Sequence, residues 1–188
     1  MGPTVEDAVR ALAAGRLVVY PTDTLLGLGA RAGDPAAVAR LEAAKGRPSG
    51  QPISVAVSSV PEVEAFAELS EPARRFLRLH LPGPYTALVP ASPLAHRALA
   101  PRIFAESGTV GLRVPDHPLA RELARRAGPL TATSANLHGA PPCRAAPEAR
   151  RVFGDRVAVY LSSGPPGSGV PSTLVDLTRA QPRTIPRR

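Results

Sequence analysis

The sequence predicts an α/β domain in which strands alternate with helices along the chain. Short apolar runs bounded by proline or glycine recur between segments with helical spacing. This alternation is typical of layered α/β proteins. The length of 188 residues suits one compact domain, and no repeat or linker interrupts the pattern. We therefore expect a single domain over residues 1–188.

Caps and prolines predict where the elements begin and end. Thr4 with Asp7 indicates a first helix, which Gly15 ends. The apolar run 17–20 predicts a strand that Pro21 stops, and Asp34-Pro35 indicates a helix that ends near Lys45-Gly46. The other predicted helices are 61–67, 71–79 (capped by Ser70), 94–100 and 119–127, and the other predicted strands are 53–57, 85–89, 109–114, 130–133, 157–161 and 173–177. Residues 164–170, Gly-Pro-Pro-Gly-Ser-Gly-Val, predict a flexible loop.

Composition limits the class of protein. The net charge of +8 favours anionic partners such as nucleotides, pyrophosphate, RNA or anionic lipid. Aromatic residues make up only 4%, so few rings are free to stack bases. Cys143 is the only cysteine, which excludes an internal disulfide and a cysteine cluster for a metal. No apolar run approaches the ~18 residues needed to cross a bilayer, and no signal peptide is recognised. These features predict a cytoplasmic enzyme with no membrane association.

Lysine and asparagine are among the residue types that occur only once in the sequence. Lysine and arginine together number 23, yet Lys45 is the only lysine, and Asn136 is the only asparagine. Lysine is a compact point charge whereas arginine is a wide planar fork, so a site shaped for one rejects the other. Two explanations are equally compatible with this composition. Both residues have a functional role, or one residue of each type was retained by chance.

The first two segments that could form a binding site follow a predicted strand and a predicted helix, respectively. Thr22, Asp23 and Thr24 follow a strand, where they could bind the amine or hydroxyl of an amino acid, or form a turn. In the second segment, Pro48 pushes Arg47 towards extended geometry, so Lys45 and Arg47 could converge on one anion such as a triphosphate. The alternative is that these cations stabilise the carboxyl end of the helix.

The other two candidate segments also follow predicted strands. Arg113 ends a strand and offers a fork suited to a carboxylate or phosphate. Asp116 is expected to cap the helix beginning at Pro118, and His117 is expected to be structural. Ser134 and Asn136, within residues 131–136, supply uncharged donors and acceptors for nucleotide phosphates or sugar. The chain lacks metal-binding motifs, so magnesium is expected to arrive with a nucleotide.

In order along the chain, these segments resemble the YrdC family of threonylcarbamoyl-AMP synthases. The motifs that carry the resemblance are Pro-Thr-Asp-Thr-Leu-Leu-Gly-Leu at 21–28, Lys-Gly-Arg-Pro at 45–48 with Pro-Ile at 52–53, Pro-Gly-Pro-Tyr-Thr at 82–86, Arg-Val-Pro-Asp-His-Pro at 113–118, Thr-Ser-Ala-Asn at 133–136 and Ser-Thr-Leu-Val-Asp at 172–176. Six ordered motifs are far more specific than any one of them. The only lysine and the only asparagine both lie within them.

The resemblance implies a twisted, open, mixed sheet with helices on both faces and a concave, positively charged site. It also implies synthesis of threonylcarbamoyl-AMP and pyrophosphate from L-threonine, bicarbonate and ATP, for modification of tRNA. By this resemblance Lys45 and Arg47 are catalytic and hold the phosphates. The residues implied for the ATP site are Lys45, Arg47, Thr86, Ser134 and Asn136, and those implied for threonine are Thr22 or Thr24, Arg113, Ser172 and Thr173.

The resemblance also implies partners, and two departures keep alternatives open. A downstream threonylcarbamoyl transferase and possible contact with tRNA or double-stranded RNA are expected. Asp23 stands where the family has glutamate, and Leu26 stands where it has tyrosine. The alternatives are a YrdC-like paralogue that binds nucleotide but makes another carbamoyl-adenylate or none, and a non-catalytic RNA-binding protein. RNA binding without catalysis would weaken steeply with salt and would need no ATP.

Overall fold

The computed structural model describes residues 2–48 and 50–186, in which helices and strands alternate. The helices are α1 (Val5–Ala13), α2 (Pro35–Lys45), α3 (Val60–Phe66), α4 (Glu71–His80), α5 (Pro93–Ala98), α6 (Pro118–Ala127) and α7 (Ala146–Phe153). The strands are β1 (Val18–Tyr20), β2 (Gly27–Gly29), β3 (Val55–Ala56), β4 (Tyr85–Pro90), β5 (Thr109–Arg113), β6 (Leu130–Thr131), β7 (Thr133–Ser134), β8 (Val159–Tyr160), β9 (Thr173–Asp176) and β10 (Arg183–Ile185). None of the described helices is long and apolar enough to cross a membrane.

Side-chain caps begin α1, α2 and α4 as predicted, whereas the cap predicted for α6 is not formed. Thr4 and Asp7 form a reciprocal capping box at α1. Asp34 accepts the amides of Ala36 and Ala37 at the start of α2. Asp116 was predicted to cap α6, and this was wrong: the capping position is His117, whose side chain makes no cap hydrogen bond. Two prolines, at 115 and 118, bracket this turn, and the helix begins directly at the second of them.

The strands form two hydrogen-bonded sheets of mixed direction. In the first, with order β7-β2-β1-β8, β1 is antiparallel to β2 and parallel to β8. In the second, with order β10-β9-β4-β5-β3-β6, β4 is antiparallel to β5 and parallel to β9. The predicted open, mixed α/β architecture is therefore confirmed.

One short segment belongs to both sheets. β6 pairs with β3 of the larger sheet, and β7, two residues later, pairs with β2 of the smaller one. Between them, the amide of Ala132 donates to Ser54 O at 2.6 Å. The predicted strand 130–133 is thus divided between the two sheets, and it brings their strand ends to a common edge.

Helices cover both faces of the smaller sheet. Val18 and Tyr20 of β1 pack in a cluster with residues of α1 and α6. Val19, which points to the opposite face, packs in the main core with residues of α2 and α7. The main core is built mostly from alanine, valine and leucine. Because a three-residue strand is buried on both faces, the loop that follows it is held at a defined position.

Candidate active site

A cavity of about 600 Å³ lies where the two sheets meet. Its lining comes from the segments after β1, α2, β5 and β7, together with residues 51–54 and the start of β9. Three fixed cations, Lys45, Arg47 and Arg113, line it, and no carboxylate is found among its described lining residues. A cavity with this charge and volume suits an anionic ligand of nucleotide size.

Lys45 connects α2 to the segment after β7. Its ammonium donates to the backbone oxygens of Ser134 and Asn136, and to Asn136 Oδ1 at 3.1 Å. In return, the amide of His138 donates to Lys45 O. The residue is only 3% exposed, and burial, aided by the charge of Arg47, lowers the pKa of Lys45 to about 8. All three N–H groups of the ammonium are therefore used to hold the 134–136 segment.

Arg47 lines the same cavity by a different route from the one predicted. Lys45 is the last residue of α2 and Gly46 has left-handed geometry (φ 62°), so the two cations are not neighbours on an extended segment. Arg47 Nη2 donates to Pro52 O at 2.8 Å, and its buried Nε has no partner among the described residues. Burial lowers the pKa of Arg47, and Glu42 opposes this shift. The helix end and the glycine together bring both charges to the cavity.

Ser134 and Asn136 complete this half of the cavity. Ser134 Oγ donates to Asn136 Oδ1 at 2.6 Å, and Asn136 Nδ2 donates to the carbonyls of Leu137 and Ala140. Asn136 thus organises the turn after β7 while Lys45 holds it from α2. The structure brings together Lys45, Arg47, Ser134 and Asn136, four of the five residues predicted for the nucleotide.

Arg113 and the 22–25 segment form a second polar cluster. Arg113, at the end of β5, is 7% exposed and pairs with Asp23 Oδ1 at 2.7 Å. It also donates to Thr24 Oγ1 at 3.0 Å. Burial lowers the pKa of Arg113, an effect that Asp23 opposes. Asp23 Oδ2 and Arg113 Nε are buried and have no partner among the described residues. A buried, pre-oriented guanidinium is suited to a carboxylate ligand.

The loop 164–170, predicted to be flexible, is attached to this second cluster. Its backbone donates from Ser168 N to Asp23 O and from Gly169 N to Thr24 O, both at 2.9 Å. A Cβ at Gly167 would lie 2.4 Å from Thr24 O, so only glycine permits this approach. His117 is buried, and its Nε2 lies 3.2 Å from Pro165 O. This position agrees with the structural role predicted for His117.

The remaining predicted residues divide between the cavity wall and the layer behind it. Ser172 is among the described residues that line the cavity, whereas Thr86 and Thr173 are not. Thr86 is buried behind the wall, and its hydroxyl lies 2.8 Å from Ser172 Oγ. Thr173 is exposed on β9. Leu26, one of the two departures from the family pattern, packs against the main core and is also absent from the described lining.

Sequence reasoning missed several lining residues. Tyr20, Gln51, Ser54 and His138 contribute polar groups to the cavity. Tyr20 and Ser54 lie within predicted strands and belong to none of the motifs used to find the site. His138 lies two positions beyond the Ser-Ala-Asn motif. No group of three or more potential metal ligands occurs in residues 2–48 and 50–186.

Comparison with known proteins identifies relatives over nearly the whole chain. The family model for Sua5, YciO and YrdC, described as "Telomere recombination", matches residues 10–188. A putative threonylcarbamoyl-AMP synthase of Mycobacterium tuberculosis is 43% identical over 182 residues, covering 96% of this chain and 82% of the relative. The threonylcarbamoyl-AMP synthase of Bacillus subtilis is 37% identical, covering 92% of this chain and 50% of the relative.

A solved structure shows the same fold. Pyrococcus abyssi Sua5 complexed with L-threonine superposes with a TM-score of 0.87 at 33% identity, covering 96% of this chain. This chain spans about half of that protein (52%). The residues matched by the family model, 10–188, include all the described residues that line the cavity. The match to the family model and the identity to these relatives establish that the chain belongs to the Sua5/YciO/YrdC family.

Proposed function

We propose that this protein is an L-threonylcarbamoyladenylate synthase, a nucleotidyltransferase that makes threonylcarbamoyl-AMP and pyrophosphate from L-threonine, bicarbonate and ATP. The product would supply threonylcarbamoyl modification of the tRNA adenosine next to the anticodon. The names of the M. tuberculosis and B. subtilis relatives support this activity. Residues 1–188 would act as one YrdC-like domain.

The observation that carries the proposal is the charge of the cavity. Three buried or half-buried cations line a space of about 600 Å³ in which the described residues place no carboxylate. The triphosphate of ATP, the carboxylate of threonine and bicarbonate are the anionic groups of the proposed substrates. Cations in a partly desolvated site stabilise the charge that develops at a phosphorus centre during adenylyl transfer. Both polar clusters face this one space, as a reaction that joins two substrates requires.

In the nucleotide half, Lys45 and Arg47 would supply positive charge to the phosphates. Lys45 would do so while holding the 134–136 segment, because its three donors are already engaged there. Ser134 and Asn136 would contact the nucleotide from that segment. Thr86 would act from behind the wall, through its hydrogen bond with Ser172.

In the amino-acid half, Arg113 would pair with the carboxylate of threonine, and Thr22 or Thr24 would offer a hydroxyl. Ser172 would close this side of the cavity, and Thr173 would support it from β9. Asp23 keeps its carboxylate on Arg113, although it is one methylene shorter than the glutamate usual in the family. The shorter side chain therefore still orients the guanidinium in this chain.

The reaction would proceed in two steps. The amine of threonine first takes up carbon dioxide from bicarbonate to give a carbamate. A carbamate oxygen then attacks the α-phosphorus of ATP, and pyrophosphate leaves. Magnesium would enter with ATP as part of the substrate. The adenylate would pass to a downstream threonylcarbamoyl transferase, and the +8 net charge is compatible with contact to tRNA.

The test is pyrophosphate release from magnesium-ATP and bicarbonate in the presence of L-threonine, L-serine, glycine or no amino acid. We expect release that depends on threonine, together with an adenylate of matching mass. Nucleotide binding without threonine-dependent release would contradict the proposal and favour a paralogue with another substrate. Binding of RNA alone, without turnover, would likewise overturn it.

A further inference from the structure

The hydroxyls of Thr22 and Thr24 belong to a hydrogen-bond chain with one possible direction. Thr22 Oγ1 lies 2.6 Å from the carbonyl oxygen of Leu25, which can only accept, so Thr22 is the donor. A hydroxyl has a single hydrogen. In the 3.1 Å contact between the two threonine hydroxyls, Thr24 must therefore be the donor and Thr22 the acceptor.

The other end of the chain is equally determined. Arg113 Nη1 lies 3.0 Å from Thr24 Oγ1, and a guanidinium has no acceptor, so Thr24 accepts this bond. Asp23 holds the same guanidinium at 2.7 Å. The direction therefore runs from Arg113 through Thr24 and Thr22 to the carbonyl of Leu25.

Counting donors and acceptors separates the two threonines. Thr22 Oγ1 donates once and accepts twice, from the Thr24 hydroxyl and from the Thr24 amide at 3.2 Å. Its hydrogen-bonding capacity is filled. Thr24 Oγ1 donates once and accepts once from the described residues, which leaves one lone pair. Both residues line the cavity, yet only Thr24 retains an open position, and that position is an acceptor.

We propose that Thr22 is a positioning residue that acts through Thr24, and that Thr24 meets the amino-acid substrate as a hydrogen-bond acceptor. This inference rests on the proposed function, because it names the recognition group within the same site. Thr24 donates its only hydroxyl hydrogen to Thr22, so the remaining lone pair of Thr24 Oγ1 can only accept a hydrogen bond from a donor group of the substrate. Without Thr22, the Thr24 hydroxyl rotates and turns its hydrogen towards the cavity.

The test is a double-mutant cycle on KM for threonine with Thr22→Val, Thr24→Val and the double variant. Valine keeps the shape and removes the hydroxyl. We expect Thr24→Val to raise KM for threonine roughly tenfold, and Thr22→Val to raise it by a similar or smaller factor. In the Thr24→Val background, Thr22→Val should change KM by less than about twofold, because its effect passes through Thr24. KM for ATP should stay within about twofold throughout.

Serine variants separate recognition from packing. Thr22→Ser and Thr24→Ser retain the hydroxyl and should restore KM to within about threefold of the parent protein. Ser92→Ala is the matched control, because Ser92 is buried and hydrogen-bonded at the start of α5 but does not line the described cavity. It should lower stability without changing KM for threonine. Additive effects of Thr22→Val and Thr24→Val, or an unchanged KM in Thr24→Val, would overturn the inference.

A substrate-free measurement distinguishes failure of the inference from failure of the proposed function. The same double-mutant cycle can be measured by urea unfolding, which gives the coupling free energy between the two hydroxyls in the absence of any ligand. Additive unfolding free energies would refute the hydrogen-bond chain even in an active enzyme. Coupled unfolding in a protein that shows no threonine-dependent turnover would instead retain the chain and reject the synthase.

Discussion

At the scale of single residues, Lys45 combines a buried charge with a complete set of hydrogen bonds. Burial alone would favour the neutral amine, whereas three oxygen acceptors favour the ammonium. Desolvation and the nearby Arg47 prevail, and the pKa of Lys45 falls to about 8. The side chain is therefore mostly charged in neutral solution, and it loses its proton when the pH rises only slightly above neutral.

This pKa predicts how kcat/KM for ATP depends on pH. Below about pH 8 the ammonium is charged, and as the pH rises through that value the proton and the charge are lost. We expect kcat/KM for ATP to decline from about pH 7 to about pH 10, because this parameter reports ionisation in the free enzyme.

Lys45→Met supplies the comparison for the pH profile. Methionine has a similar length and no titrating group, so this variant should be much less active and its profile should lack the alkaline decline. An alkaline decline of the same size in both proteins would assign the titration to another group. Thermal unfolding of both proteins would show whether the variant keeps its fold.

At the scale of elements, α2 places Lys45 and Arg47 because its two ends are fixed. Asp34 caps the first turn through the amides of Ala36 and Ala37, and Gly46 ends the helix in left-handed geometry. Asp34→Ala should lower the free energy of unfolding by about 1 kcal/mol. The melting temperature should fall by roughly 2–4 °C. Asp34→Asn is the matched control, because asparagine caps helices equally well, and a loss of equal size there would reject the capping explanation.

The glycine-rich loop is the second element with a defined task. Gly167 packs against the carbonyls of Thr22 and Thr24, at 2.6 and 2.4 Å from where a Cβ would stand. Gly167→Ala must displace one of these segments, so KM for threonine should rise roughly tenfold while KM for ATP changes little. Ser168→Ala keeps the backbone bond to Asp23 O and should behave as the parent protein. Equal increases in both KM values would indicate a general loss of structure instead.

At the scale of the whole molecule, the cavity depends on the junction of the two sheets. Arg113 reaches it from β5 of the larger sheet, and the 22–25 segment reaches it from β1 of the smaller one. The segment 130–134 pairs with both sheets and so determines how they meet. Residues separated by 90 positions in sequence, Asp23 and Arg113, thereby form an ion pair. The junction therefore sets the distance between the two polar clusters.

Local signals predicted most elements but missed three. β2 contains Gly27 and Gly29, which have low strand propensity, yet it pairs with β1 and β7, and the ring of Tyr20 lies close to both glycines. α7 lacks a side-chain cap at Ala145 and follows a pair of prolines. β10 is a short, exposed edge strand with prolines on both sides. The local sequence signals for these three elements are weak, so we infer that contacts with the rest of the fold stabilise each of them.

The sequence by itself determined the alternating α/β architecture, the caps of α1, α2 and α4, and the segments that carry the polar side chains. These properties depend on neighbours within a few positions, or on motifs whose order identifies the family. Only the tertiary structure decided that Lys45 is saturated by the 134–136 segment, that Thr86 lies behind the wall, and that Thr22 and Thr24 differ. These outcomes depend on the direction and number of hydrogen bonds between distant segments, which exist only after the two sheets have packed together.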